Sequence, residues 1–481
     1  MKFRFLKYFL LTMASLILLL IGTGVAIAWV GKYRRTGPIT DGSHVRKLNI
    51  PDQPHYSNDW QRVLAHPQDW GPLSVDSLMQ WDYNPWKPKP VWAGEHLMKL
   101  RYSKDPSDQA KLEDINKRAA EWFQRVLARH PDMAVEYQDV PDDENGLLRM
   151  LDFVKQFGDA VLGSDSNCLR FPKDLIDYSK SKGPWNEQAA RDWLANEPAL
   201  FNEIRIIGLL PTESAKGISV DQWALLNMEL YRASTVALMI DARIAAEDGD
   251  IARAMESIRA ANGLADHLQN VETPIYFDSI LVAKIRSEVQ LRTITEVIPA
   301  LPEGSVDLEA WEDAVNPVQD SPADLARLLK GEWTVGLQRE ILPVLADLED
   351  PKSPPDAEDY IDVVTEAYRR AIHATENLSL EDMGSTPPPA PPSMEDLSLE
   401  SRQFLGNINE FPNTIRTTWM RNLSISARYQ AAFAIMQGEE VPNDPIYGLP
   451  YVWDTNTREL SYPDAEPFRN LPKRRLIVPD L

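Results

Sequence analysis

Ser179-Lys-Ser-Lys182 has the Ser-x-x-Lys order in which a lysine can draw the proton from a serine for acyl transfer. It stands between Asp177-Tyr178 and Gly183-Pro184, without the companion Ser-Asp-Asn and Lys-Thr-Gly boxes, so it reads as a polar turn. Three carboxylate clusters, Asp142-Asp143-Glu144, Glu247-Asp248 and Glu439-Glu440, could supply the acid and base of glycosidic cleavage. That chemistry needs two carboxyl groups roughly 5–10 Å apart across a cleft. Each cluster falls at a predicted turn, where solvated charge is the expected role. The histidines, His44, His55, His66, His96, His130, His267 and His373, never stand three or four apart, which argues against a compact metal site. Cys168 is the only cysteine, so no internal disulfide, paired-cysteine metal site or redox dithiol can form. With neither a histidine nor a helix start evident beside it, Cys168 reads as a buried small residue. The zinc-protease helix, the phosphate loop, the Gly-x-Ser-x-Gly elbow and the dinucleotide turn are all missing. No catalytic, metal or cofactor residue is therefore assigned, and no cofactor is expected.

Trp81, Trp86 and Trp92 are the candidate ligand or partner contacts. They belong to the run Trp81-Asp-Tyr83-Asn-Pro85-Trp86-Lys-Pro88-Lys-Pro90-Val-Trp92, whose prolines exclude a helix interior or a central strand. Exposed, such rings could stack on sugars of a cell-envelope glycan; buried, they would fill grooves between helices, the reading favoured by the apolar area each covers.

The elements that must position these residues are mostly helices. Leu112, Ile115, Ala119, Trp122 and Val126 share one face and stop at His130-Pro131; Leu147, Leu151, Val154 and Val161 begin another, broken at Gly158 and Gly163. From a predicted N-cap at Asp221, Leu226, Leu230, Ala233, Ala237, Ile240 and Ile244 form a stripe. Asp248-Gly249-Asp250 turns the chain into a second stripe, from Ile251 to Leu268, as an antiparallel neighbour. Thr273-Pro274 precedes a third helix, carried by Phe277, Leu281, Ile285 and Val289 to Pro299. Shorter helices are expected at Leu325–Leu329, Trp333–Leu348 and Ile361–Ala374. After the Pro-rich 386–392 loop comes a long helix from Asn413 to Gln437, with Ser424, Ala427, Ala431 and Ala434 as a small-residue face. Tyr451–Trp453 and Glu459–Tyr462 then flank Asp454-Thr-Asn-Thr457 as a β-hairpin with an Asx-rich turn.

The fold class expected is mainly α: an irregular, repeat-like array of antiparallel helical hairpins with a small C-terminal β-hairpin, preceded by one transmembrane helix. Its divisions are an N-terminal anchor (1–35), an extended Trp/Pro strap (36–105), a helical-hairpin domain (106–383), a Pro-rich loop (384–397), C-terminal helices (398–440) and a hairpin with its tail (441–481). From Tyr8 to Val30 there is no charge, with Lys2, Arg4 and Lys7 before and Lys32, Arg34 and Arg35 after. That length crosses a bilayer core of roughly 30 Å as one helix. Cleavage after Ala28 remains open, but the run exceeds a usual signal core and would leave Trp29 as the new terminus. The expected topology is single-pass, with the N-terminus cytoplasmic and the body periplasmic. Residues 51 onward carry 71 Asp/Glu against 42 Lys/Arg, which disfavours nucleic acid as a partner.

Ala120-Glu-Trp-Phe through His130-Pro131-Asp132, and Ala245 through Gly249-Asp250 to Ala254, resemble tetratricopeptide-type hairpins, although no 34-residue period links them. With Cys168-Leu-Arg170-Phe171-Pro172 and the turn Asp444-Pro445-Ile-Tyr-Gly448-Leu-Pro450, the order of features resembles uncharacterised bacterial envelope proteins with an N-terminal anchor. The same turn is similar to one in secretion-system pseudopilins, whose processing signature is missing here. These resemblances imply no activity. The expected function is a non-catalytic scaffold that binds an envelope protein partner in grooves between hairpins; the alternative is an envelope hydrolase acting on glycan or peptide through paired carboxylates.

Overall fold

The computed structural model describes residues 97, 99–101, 103, 105–161, 169, 171–180, 183–218, 228–316, 321–347, 357–397, 411–465, 468–469, 471 and 476–480, without the side chains of 154–161 and 228–229. The apolar stretch Tyr8–Val30, the tryptophans Trp81, Trp86 and Trp92, Cys168 and the Asp221 cap lie outside the described residues. Among the described residues no helix is long and apolar enough to cross a membrane.

The described chain is mainly helical, with a small three-stranded antiparallel sheet at its C-terminal end. In chain order the helices are α1 (Pro106–Arg129), α2 (Gly146–Val161), α3 (Lys173–Ser179), α4 (Glu187–Asn196), α5 (Pro198–Gly208), α6 (Met228–Glu247) and α7 (Ile251–Gln269). They continue as α8 (Tyr276–Arg292), α9 (Leu308–Val315), α10 (Pro322–Gly336), α11 (Leu342–Asp347), α12 (Ala357–Glu376), α13 (Leu380–Ser385) and α14 (Phe411–Gln437). Strands β1 (Val452–Asp454), β2 (Glu459–Ser461) and β3 (Leu476–Ile477) pair in that order, with Trp453 opposite Leu460 and Leu460 opposite Leu476.

The predicted α1 face is buried throughout, at Leu112, Ile115, Ala119, Trp122 and Val126. The α6 and α7 stripes from Leu230 to Leu268 pack against each other across the Asp248–Asp250 turn. There Gly249 takes φ 73°, a left-handed conformation that a side chain would resist, and Asp250 caps α7 by accepting from the Arg253 amide at 3.1 Å. Helix α5 crosses α7 at a backbone-to-backbone contact: a Cβ on Gly263 would lie 1.8 Å from the Gly208 carbonyl oxygen. Asp241, 1% exposed, pins α5, α6 and α7 together by accepting from Arg205, Arg253 and Ser257.

Two apolar cores result. One gathers α2 to α9, the C-terminal half of α14 and the sheet; the other gathers α1, α10 to α13 and the N-terminal half of α14. Helix α14 therefore belongs to both, giving Ile415, Trp419 and Leu423 to one and Ala427, Ala431 and Phe433 to the other. Its small-residue face is buried, as the spacing predicts.

Several expectations change. Leu97 and Leu100, assigned to the extended strap, are buried in a helical turn, because no proline stands between Pro90 and Pro106 to prevent one. Helix α2 runs on through Gly158, since one glycine costs a helix only about 1 kcal/mol. The two helices expected at Leu325–Leu329 and Trp333–Leu348 are one run from α10 to α11. It is joined by a π-turn, Leu337–Ile341, that absorbs an extra residue without ending the helix. The His130-Pro131-Asp132 turn leads into a single 3-10 turn and then non-helical chain to Glu144, so no second hairpin helix follows it. Strand β3 was not expected; Arg458 recruits it by donating to the carbonyls of Val478 and Pro479.

Candidate functional site

Helix α7 ends at the C-cap Asn270, and the chain turns through 271–275 into α8. Helix α10 pins this corner. Arg327 donates to the Gln269 carbonyl at 3.2 Å, placing a cation where the α7 dipole is negative. Gly331 lets the backbones meet, since a Cβ there would lie 2.2 Å from the Pro274 carbonyl oxygen. Glu332 accepts from the Tyr276 amide at 2.7 Å, and burial pushes its carboxyl up to about 7. The neighbouring Glu340 adds to this rise, while the Tyr276 amide and Arg339 oppose it.

From the other side the corner is held by Glu272, whose carboxylate accepts from the Ser214 hydroxyl (2.7 Å) and the amides of Ala215 (2.9 Å) and Gln138 (2.8 Å). His267, 1% exposed, bonds the Leu210 carbonyl through Nε2 at 3.0 Å, and burial holds its imidazole below its ordinary pKa, hence neutral.

Along this corner, where the two cores meet, α7, α8, α10 and α14 line an open cleft. Leu268, Pro274, Val282, Ala283, Leu328 and Trp419 supply its apolar lining. Its two charged groups are already matched: Arg286 donates to Asp266 at 2.9 Å, and Asp324 accepts from Arg327 at 2.8 Å and from Ser321. Ser426 accepts from Gln290 at 2.9 Å. Asn422 on α14 and Ser287 on α8 line the same cleft with side chains that make no hydrogen bond among the described residues. The cleft thus presents an apolar floor, neutralised charges and hydrogen-bonding groups left open.

No family model, curated protein or solved structure matches this chain. The cleft must be read from its own chemistry.

Glu213, which does not line the cleft, lies near Asn270. It is half-buried, and burial first, then the charges of Asp266 and Glu272, push its carboxyl up to about 7 against the opposing Arg327 and a hydrogen bond with Asn270. A group poised there takes up or gives up a proton near neutrality.

The chemistry suggested along the chain does not converge on this cleft. Ser179 donates back to the Ile176 carbonyl at 2.9 Å, closing α3, and Lys182 lies outside the described residues. Asp142, Asp143, Glu144, Glu439 and Glu440 are exposed. Asp248 pairs with Arg191 as a solvated turn charge does, whereas Glu247, the last residue of α6, is mostly buried beside Arg243. His130 bonds Asp362 and Arg369, His373 lies beside Glu376, and no cluster able to hold a metal ion occurs among the described residues. A second polar cluster clasps α3 to the π-turn Thr293–Val297: Tyr178 donates to Glu296, while Arg243 and Arg292 lie over its ring at 5.6 and 4.9 Å. Its groups satisfy one another. The residues that sequence reasoning missed, Glu213, Asp266, Arg286 and Asn422, come from four separate segments, and no local spacing joins them.

Proposed function

We propose that this chain is a membrane-anchored envelope protein whose irregular array of helical hairpins holds a peptide segment of a partner protein, as a non-catalytic scaffold. The observation that carries this reading is the composition of the cleft: an apolar floor between α7, α8, α10 and α14, with Asn422 and Ser287 open to pair with a peptide main chain. Grooves between packed helices take up helical or extended segments by this combination of apolar burial and polar registration. Residues 1–35, with the uncharged run from Tyr8 to Val30, supply the proposed anchor, N-terminus in the cytoplasm and body in the periplasm. The Trp81–Trp92 run is kept in this proposal as a second contact with partner or glycan.

The test is affinity purification of the full-length protein from detergent-solubilised membranes, beside an Ala283→Phe variant that fills the cleft. Partners recovered with the parent protein and lost with a variant of unchanged thermal unfolding support docking there; an unchanged partner set overturns it. Mass spectrometry of the bait's first peptide tests the anchor, which requires Met1 or Lys2 to be retained and is refuted by Trp29 as the new terminus. The competing reading, hydrolysis by paired carboxylates, draws on Glu213 beside Asp266. It expects cleavage of cell-wall glycan or peptide that Glu213→Gln abolishes.

A further inference from the structure

The proline run that follows α13 is a fixed ridge with two of its three edges turned outward. Pro387, Pro388, Pro389, Pro391 and Pro392 each hold φ at about −65°. Every residue from Thr386 to Pro391 except Pro389 also stands directly before a proline, which keeps it out of the helical region. The segment is therefore a polyproline II helix with three residues per turn, spanning about 19 Å from Thr386 to Pro392. Its burial follows that period. Thr386 and Pro389 are half-buried and Pro392 is buried, along one edge, while Pro387 with Ala390 and Pro388 with Pro391 form two exposed edges. Both ends are tied down. Arg416 on α14, itself 6% exposed, donates at 2.8 Å to the carbonyls of Met383 and Thr386, and beyond Pro392 the chain is held again at buried Leu397. Between these anchors the carbonyls of Pro387 to Pro391 accept no hydrogen bond from any described residue.

We propose that this ridge docks in an aromatic-lined groove of a partner protein, with the Pro388–Pro391 and Pro387–Ala390 edges seated between tryptophan or tyrosine side chains. Proline C–H groups lie on the negative faces of such rings, and an indole N–H or phenol O–H donates to the open carbonyls. The five prolines set the shape before the partner arrives, so docking costs little chain entropy. Glu381 and Asp382 before the ridge and Glu395 and Asp396 after it are exposed, and no lysine or arginine occurs between Arg370 and Arg402. The groove that fits this ligand therefore has basic rims. No residue of 383–397 lines the cleft between α7, α8, α10 and α14, so the inference does not rest on docking there.

The test is photo-crosslinking of the full-length protein, in the cells that express it, from Ser393→benzoylphenylalanine, an exposed position beside the ridge. The same label is placed in a Pro388→Ala/Pro391→Ala variant, whose changes fall on exposed residues and should leave thermal unfolding as it was. Illumination is expected to give an adduct to another protein, mapped by mass spectrometry to the neighbourhood of a tryptophan or tyrosine, and several-fold less of it in the variant. The synthetic peptide Thr386–Ser393 should suppress the adduct. Its Pro388→Ala/Pro391→Ala counterpart should need a roughly tenfold higher concentration, because two prolines no longer fix the docked conformation. An adduct to the chain's own residues 36–96 would mean that the tryptophan strap covers the ridge, and overturns the inference. An adduct that the variant forms equally, one mapped to a surface without aromatic residues, or none at all overturns it too.

Discussion

Glu332→Gln should stabilise this protein at alkaline pH and leave it almost unchanged in mild acid. The carboxyl sits on α10 against the start of α8, where it accepts the Tyr276 amide at 2.7 Å and burial pushes it up to about 7 from an ordinary 4.5. Below pH 4.5 the group is protonated in both folded and unfolded chains and contributes no difference. As the pH rises from 4.5 towards 7 the unfolded chain gives up the proton first, so the folded state binds more protons and stability falls with pH. At about 1.4 kcal/mol per unit this reaches roughly 3 kcal/mol above pH 7, reduced to about 2 kcal/mol because solvent still reaches part of the side chain. Glutamine retains a carbonyl oxygen for the Tyr276 amide and cannot ionise. Urea unfolding of both proteins at pH 4.5 and pH 8.5 should therefore show a gain of about 2 kcal/mol at the higher pH only. An equal effect at both values, or a loss at pH 8.5, would refute the argument.

Gly263→Ala should lower stability by about 1–3 kcal/mol, seen by calorimetry, because a Cβ 1.8 Å from the Gly208 oxygen forces α5 and α7 apart. That outweighs the gain of about 1 kcal/mol in helix propensity. Asp444→Ala leaves the Ile446 and Tyr447 amides and the Tyr451 hydroxyl without their acceptor; a loss of about 2–3 kcal/mol and faster hydrogen exchange at those two amides are expected. Arg458→Ala removes the donor that holds Val478 and Pro479. Limited proteolysis should then cut between Tyr462 and Leu476 sooner than in the parent protein, with little change in overall melting.

Much of the helical framework was legible along the chain because amphipathic spacing survives wherever a helix has one buried face. The stripes of α1, α6 and α7 and the small face of α14 are of this kind. The Asx-rich turn at Asp454 was equally local, its side chain accepting from the amides of Asn456 and Thr457. What escaped depends on partners far along the chain. Nothing near Trp333 shows that α10 continues into α11, because a π-turn keeps the helical hydrogen bonding while shifting the stripe. Strand β3 exists through Arg458, eighteen residues before it. The cleft combines side chains from residues 268 to 426, and an acidic residue such as Glu213 looks like any surface charge until the fold half-buries it.

The shared helix α14 also sets an order of events during synthesis. Its two halves complete two different cores, yet it begins at Phe411 in a chain of 481 residues. Until that helix has left the ribosome, α8 on one side and α10 and α12 on the other lack the neighbour that packs against them. Neither core is complete on the growing chain before then, and apolar surface left uncovered during synthesis is what exposes a large chain to aggregation.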